Sequence, residues 1–441
     1  MKIFGNDGFR SKFGEMFMSY EFIEAFAYGI SEFCLIGKIN SSVIIGRDTR
    51  ASGKIIENII SSVINYRGLD VNIAGVISTP GFSSIIENGK FSIGIMITAS
   101  HNPASDNGIK LFNCDGFKLD NISEKYIEKY IISYLNNRSI IYKKEIGKIK
   151  RLKNINKIYI NKLKTIHKVK NNNYKILIDC SNGSSSNIAK LYCKNVENIK
   201  IINYRFDGSN TNYKCGALEP DILLKKVKKH NYDYGVAFDG DGDRAVFVSN
   251  EYGIIETEKL VYLFSHYNIV SGINKIIVST EICNKGLEDN LYLEGYKLIQ
   301  TEVGDRNVVN NTIFNKAIIG VEPSGHYFFP KLSKTMDGFI ALLHFIKLLN
   351  VCNKNMTIEL NKLKHYHRVS GNIPIGNIEN FELNRCIKEI AKEINNQNEK
   401  LIIRKSMWDP VIRIYYDYSK YNNIEKIMNY ISENLGSIEN K

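Results

Sequence analysis

Two short runs of this chain combine residue types that suit phosphoryl chemistry. In Ile97-Thr98-Ala99-Ser100-His101-Asn102-Pro103 a hydroxyl stands beside an imidazole and an amide, in a loop that follows the apolar stretch 93–97. In Asp239-Gly240-Asp241-Gly242-Asp243-Arg244 three carboxylates are spaced two apart around glycines, after the apolar run 236–238. Alternate residues of an extended segment point the same way and glycine lets the backbone bend, so the three can converge on one small hard cation. Mg²⁺ with oxygen ligands suits that set. Taken singly, a Ser-His pair is more often a capped turn, and a D-x-D-x-D run could be a structural calcium loop. An EF-hand is disfavoured, because its loop wants Glu at position twelve and counting from Asp239 gives Asn250. A serine able to carry phosphate plus an acidic metal triad is the equipment of phosphoryl transfer.

Further runs stand in a fixed order around these two. They are Phe4-Gly5-Asn6-Asp7-Gly8-Phe9-Arg10, Gly46-Arg47-Asp48-Thr49-Arg50, Asp106-Asn107-Gly108-Ile109-Lys110 and Asp115-Gly116-Phe117-Lys118-Leu119. Downstream come Val303-Gly304-Asp305-Arg306, Glu322-Pro323-Ser324-Gly325-His326, and Arg404-Lys405-Ser406 with Asp409-Pro410-Val411-Ile412-Arg413. With these motifs the chain resembles the α-D-phosphohexomutases over essentially all 441 residues. Within that family it is most similar to the bacterial branch that acts on glucosamine phosphates, which the runs 75–81, 207–210 and 303–306 favour.

The resemblance implies that Ser100 works as a phosphoserine and shares one Mg²⁺ per chain with Asp239, Asp241 and Asp243. Lys110 and Arg10 are then expected beside the serine, where positive charge stabilises a transferring phosphoryl group. His101 and Asn102 are expected to position the serine loop, and Arg244 to reach substrate or phosphate oxygens. Glu322, Ser324 and His326 resemble the sugar-reading loop, with His326 also placed to assist proton transfer. Arg404, Ser406 and Arg413 resemble a distal phosphate clamp, for which the arginine fork is suited. The implied reaction interconverts glucosamine 6-phosphate and glucosamine 1-phosphate through a bisphosphate intermediate. A phosphomannomutase or phosphoglucomutase is the nearest alternative, and a decayed mutase kept as a binding or scaffold protein is the alternative from another class. Departures from the pattern cluster at the sugar and phosphate loops. Pro323 stands where the branch has Gln; Lys405, Met407 and Trp408 replace Pro, Gly and Thr; Asn6 and Ser11 replace Thr and Gly.

Composition adds exclusions. Hydrophobic content of 44% with 24% charged residues is ordinary for a soluble chain. No apolar run approaches the roughly 20 residues that a bilayer requires, and no basic stretch with an apolar core opens the chain, so neither a membrane partner nor a leader is expected. Eight scattered cysteines without a C-x-x-C pair read as reduced thiols in a cytoplasm. The formal net charge of +13 raises nucleic acid as a partner. However, the densest basic patches, 143–153 and 225–229, carry no interleaved aromatics, and a sugar phosphate is the expected partner instead. A monomer or homodimer is expected.

The elements that must hold these loops follow one phrase three times: strand, small-residue loop, helix, strand. It occurs at 42–76, 175–204 and 276–299, and implies right-handed crossovers within parallel or mixed sheets. The expected fold is three related α/β domains with mixed sheets plus a small C-terminal α+β domain around a central cleft. Boundaries are expected at 1–153, 154–252, 253–365 and 366–441. The stretch 143–153 reads as a charged linker, 249–253 as a turn, 337–349 as a helix closing the third domain, 401–403 and 411–416 as strands, and 424–435 as a helix.

Overall fold

The structure, a computed structural model, describes residues 2–37, 42–137, 145–167, 173–352, 356–374, 399–405 and 411–418. Its four domains are best read from their sheets. The first contains β1 (Phe9–Lys12), α1 (Tyr20–Ile36), β2 (Ser42–Arg47), α2 (Ala51–Tyr66), β3 (Asp70–Val76), α3 (Thr79–Glu87), β4 (Ile93–Ile97), β5 (Asp106–Asn113), α4 (Asn121–Asn137) and β6 (Ile149–Arg151). The second contains α5 (Ile155–Ile166), β7 (Ile176–Asp179), α6 (Ser185–Tyr192), β8 (Ile199–Ile202), α7 (Pro220–Lys229), β9 (Tyr234–Phe238), β10 (Ala245–Ser249) and β11 (Gly253–Ile255). The third contains α8 (Thr257–His266), β12 (Ile276–Thr280), α9 (Lys285–Leu293), β13 (Lys297–Thr301), α10 (Asp305–Phe314), β14 (Ile319–Glu322), β15 (His326–Phe328), α11 (Gly338–Cys352) and α12 (Met356–Lys362). In the fourth, β16 (His367–Pro374), β17 (Glu399–Lys405) and β18 (Val411–Tyr418) form an antiparallel sheet in the order β16-β18-β17.

The first three sheets share one wiring. Their orders contain β5-β4-β2-β3, β10-β9-β7-β8 and β15-β14-β12-β13. In each, the first strand of the set is parallel to the second and third, and the fourth runs antiparallel to the third. The connection from third to fourth strand is therefore the same structural position in all three domains. That position holds Ser100 in the first, Asp239–Asp243 in the second, and Ser324 between Glu322 and His326 in the third.

Local chemistry explains the elements. β4 and β9 are buried along their whole length, as strands covered by helices on both faces must be. Ser19, Ser78 and Asn284 cap α1, α3 and α9 by accepting from first-turn amides. α11 is buried on nearly every face, which its apolar composition allows. It lies in one continuous core joining the second and third domains, whereas the first keeps a separate core. No helix among the described residues is long and apolar enough to cross a membrane.

Two expectations change. The charged stretch 143–153 is not only a linker: β6 pairs with β3 at its edge, held by Gly147 N donating to Asn65 O at 3.0 Å. The strand β16 also went unpredicted, because its residues carry no sustained apolar run. The turn at 249–253 joins β10 to β11, so the second sheet gains a strand beyond it. The helix expected at 424–435 lies outside the described residues.

The first and third domains are strutted by a partly charged contact. Both Arg306 guanidinium nitrogens donate to Glu124, at 2.8 and 2.6 Å, and Arg306 also bonds Asn121. Glu124 is 3% exposed. Arg306→Met should therefore leave a buried, uncompensated carboxylate and cost about 3–5 kcal/mol. The expected outcome is a clearly lower urea midpoint than that of Arg306→Met/Glu124→Gln, where the orphaned charge is removed as well.

Candidate active site

Ser100 stands at the start of the β4–β5 loop with φ +50, a conformation that side chains other than glycine seldom adopt. Such strain needs an over-determined surrounding, and Arg50 supplies much of it. This residue is fully buried; its guanidinium donates to Ser100 O at 2.9 Å, Asn102 O at 2.8 Å and Asp106 O at 3.1 Å, and also bonds Pro103 O. Asp48 orients the guanidinium through Nε at 2.9 Å and receives Thr98 Oγ1 at 2.6 Å. From the second domain, Asn212 Nδ2 reaches Ser100 O at 2.8 Å. The result is an exact hold on one hydroxyl.

That hydroxyl donates to Asp239 Oδ2 at 2.6 Å. His101 Nδ1 lies 3.2 Å from the same oxygen. Burial first, then Arg244 and Arg10, push the His101 imidazole down to about 2, so it stays neutral and its Nδ1–H can donate to Ser100. The three aspartates are at most 1% exposed, and ligand oxygens of all three lie within 4.8 Å of one another. The loop's tight path needs its glycines. A Cβ at Gly240 would meet Ser100 O at 2.6 Å, and Gly242 has φ +74.

Charge is shared unequally among the carboxylates. Lys110 Nζ donates to Asp241 Oδ2 and Asp243 Oδ2, both at 2.8 Å, and lies 3.1 Å from Asp7 Oδ2. Burial opposes ionisation of Asp243, but Lys110 and His326 outweigh it and hold this carboxyl well below its usual range. Among the described residues Asp239 has one ion pair, with Arg244 Nε 3.9 Å away, and its Oδ1 accepts from Gly242 N and Arg244 N at 3.0 and 3.3 Å. Burial, followed by the charges of Asp243 and Asp241, pushes Asp239 up to about 7. Asp241 Oδ1 is buried and has no hydrogen-bond partner among the described residues. An all-oxygen cluster with an orphaned acceptor and a charge deficit fits a hard divalent cation.

The third domain completes the cluster. His326 Nδ1 is 2.6 Å from Glu322 Oε2 and 3.2 Å from Ser324 Oγ, and Nε2 is 3.1 Å from Asp243 Oδ1. Burial and Arg244 lower its affinity for a proton, yet the two carboxylates prevail and push it up to about 9. The two carboxylates thus favour the protonated ring, which can donate to Glu322 and to Asp243. Arg244 Nε lies 3.2 Å from Nε2 and 3.9 Å from Asp239 Oδ2. Arg10 Nη1 meets Asn102 Oδ1 at 3.4 Å, and Arg10 also pairs with Asp7. Lys118 bonds both Asp7 and Asp305, tying the first domain to the third.

The structure thus gathers Ser100, His101, Asn102, Lys110, Arg10, Asp239, Asp241, Asp243, Arg244, Glu322, Ser324 and His326. Arg404 and Arg413 are cross-strand partners in the fourth sheet. Arg404 Nε is buried without a hydrogen-bond partner among the described residues, and Arg404 lies within electrostatic reach of the Glu281 carboxylate. Ser406, Met407 and Trp408 lie outside the described residues. Sequence reasoning missed Arg50, Asp7, Lys118 and Asp305 as parts of the site. Each sits inside a quoted motif, which was the available signal.

Comparison with known proteins agrees with the geometry. Residues 1–138, 157–253 and 256–366 match the family profiles described as Phosphoglucomutase/phosphomannomutase, alpha/beta/alpha domains I, II and III. A phosphoglucosamine mutase of Campylobacter jejuni subsp. jejuni serotype O:6 is 32% identical over 439 residues, covering 98% of each chain. That of Campylobacter hominis is 33% identical over 445 residues, again covering 98% of each. The chain belongs to the α-D-phosphohexomutase family. It is an isomerase, an intramolecular phosphotransferase, most like phosphoglucosamine mutase. The fold is also that of a phosphoglucomutase/phosphomannomutase family protein from Burkholderia thailandensis, with TM-score 0.83 at 20% identity, covering 99% of this chain and 97% of that one. An Aspergillus fumigatus N-acetylphosphoglucosamine mutase in complex with GlcNAc-6P and magnesium has TM-score 0.63 at 13% identity, covering 99% and 96%.

The hold on the serine loop is testable by itself. Arg50→Lys keeps a charge but loses the fork that serves four carbonyls at once. Hydrogen bonds from a charged group contribute about 1.5–3 kcal/mol each, so amide protection in 99–107 is expected to fall about ten- to a hundredfold in hydrogen exchange. Protection in β2 and β4 should hold.

Proposed function

We propose that this phosphohexomutase interconverts glucosamine 6-phosphate and glucosamine 1-phosphate. The observation that carries the mechanism is the Ser100 hydroxyl, 2.6 Å from a buried carboxylate triad, with Lys110 bridging two of those carboxylates. In the resting enzyme Ser100 carries a phosphoryl group. The sugar hydroxyl attacks that phosphorus, its O–P bond forms as the Ser100 Oγ–P bond breaks, its proton ends on the departing Ser100 Oγ, and a bisphosphate results. After the sugar reverses its orientation, its other phosphoryl group returns to Ser100. Asp239, Asp241 and Asp243 would hold one Mg²⁺, which supplies positive charge against the phosphoryl oxygens.

Roles follow from placement. Lys110 and Arg10 offset the charge that builds on the transferring group. His326, as an imidazolium, donates a hydrogen bond or proton and does not serve as the resting base. His101 and Asn102 orient the serine, and Arg244 meets the incoming phosphate. Glu322 and Ser324 read sugar hydroxyls. Arg404, Ser406 and Arg413 clamp the phosphate that is not reacting; Arg404 and Arg413 face one another across β17 and β18. These functions divide among units at 1–153, 154–255, 256–365 and 366–441, with β11 carrying the second unit past its expected end at 252, in a cytoplasmic protein. The glucosamine assignment rests on the full-length likeness to relatives named phosphoglucosamine mutase. Pro323 and the altered 405–408 stretch are where this chain departs from the family pattern that its motifs resemble.

Intact-mass spectra and a coupled assay test the reading together. The active protein should carry one phosphate that Ser100→Ala lacks, and Ser100→Ala should lose activity by orders of magnitude while melting normally. Substantial turnover by that variant would remove Ser100 as the carrier. Among glucosamine, glucose and mannose phosphates, kcat/KM should be highest for glucosamine. A preference for glucose or mannose phosphate would instead make the chain a phosphoglucomutase or phosphomannomutase.

A further inference from the structure

The loop that carries the three aspartates is gripped through three successive carbonyls, each by the first turn of a helix from a different part of the chain. Gly240 O accepts from Ser184 N at 2.9 Å, just before α6. Asp241 O accepts from Thr79 N at 2.8 Å, at the start of α3, and Gly242 O accepts from Gly338 N at 3.3 Å, at the start of α11. First-turn amides have no partner within their own helix, so these bonds satisfy both sides. Three positive helix ends also face a loop of buried negative charge.

Of the three, Thr79 alone also holds an aspartate side chain. Its Oγ1 donates to Asp241 Oδ2 at 2.6 Å, between two fully buried residues of different domains. The neighbouring Ser78 is occupied as the α3 cap, accepting from Gly81 N at 3.2 Å, and Pro80 has no amide proton to offer. The hydroxyl of Thr79 is thus the one free to cross. Lys110 Nζ takes a second place on Oδ2, at 2.8 Å. Both donors lie on one oxygen, while Oδ1 is buried with no partner among the described residues.

We propose that Thr79 is a positioning residue for the cation site: by fixing Oδ2 it turns Oδ1 of Asp241 toward the metal. This inference rests on the cation reading given above. A carboxylate turned by an outer hydrogen bond binds metal more tightly, and loss of such a bond typically weakens binding ten- to a hundredfold. The same hydroxyl joins the domain bearing Ser100 to the loop bearing Asp241, so cation affinity depends on that junction.

The test is a Mn²⁺ titration of the full chain, read by electron paramagnetic resonance of the free ion. Thr79→Val should bind Mn²⁺ about ten- to a hundredfold more weakly than wild type. Thr79→Ala, which leaves room for a methyl-sized void instead of a methyl against the carboxylate, should do the same. Thr79→Ser, which restores the hydroxyl, should return affinity to near wild type. Unchanged binding by the Val and Ala variants would overturn the proposal, and so would a Ser variant as weak as they are, because the methyl would then be what matters. If neither Val nor Ala folds, Thr79 is a structural tie and the proposal fails. Wild-type protein that binds no Mn²⁺ would sink the cation reading and this inference together, whereas tight wild-type binding with an insensitive Thr79→Val sinks only the latter.

Discussion

Three carboxylates buried in one short loop are the constraint that the rest of the molecule answers. Burial of like charges at this spacing is costly unless the charges are paired or partly neutralised. Each of the first three domains contributes to lowering that cost. The first supplies Lys110, the Ser100 hydroxyl and the α3 amide; the second supplies Arg244 and the α6 amide; the third supplies His326 and, through α11, a further amide. The acidic loop is therefore more than a ligand set. It is the place where three separately wired sheets are bound into one site.

The shared wiring explains how such convergence arises. In each of the first three sheets the third strand is parallel and the fourth antiparallel, so the loop between them must reverse direction at one end of the sheet. A reversal there brings polar side chains and exposed amides to the sheet edge without disturbing the apolar strands below. One repeated architectural position hosts the Ser100 hydroxyl, an acidic triad, and a histidine with its carboxylate. Chemistry differs while the scaffold does not.

Much of the fold and most of the site could be read from the chain because their signals are local. Apolar runs such as 93–97 and 234–238 end in Gly, Ser and Asp, and the triad is contiguous, so pattern and chemistry coincide. What escaped is what depends on distant partners or on weak local signal. β6 is a three-residue edge strand whose side chains are all exposed, and it looks like linker until β3 lies beside it. Arg50 resembles any helix-start arginine until the serine loop, some fifty residues on, closes over it. Thr79 and Asp241 are 162 positions apart, and no spacing rule joins them.

The unequal sharing of charge has a consequence for the proposed cycle. Lys110 serves Asp241 and Asp243, while Asp239 relies on the Ser100 hydroxyl proton for its shortest contact. An esterified Ser100 Oγ has no proton to donate. If Ser100 carries phosphate, its added charge of about −1.5 to −2 then faces the least compensated carboxylate. Two unit charges 4 Å apart repel by about 4 kcal/mol at an effective dielectric of about 20. The deficit at Asp239 is therefore greatest in the phosphorylated enzyme, and a divalent cation between the phosphate and the triad would relieve both sides of it. Phosphorylation and cation binding are in that case thermodynamically linked, each strengthening the other by the same factor. A phosphorylated Ser100 would then depend on the cation that the triad would hold.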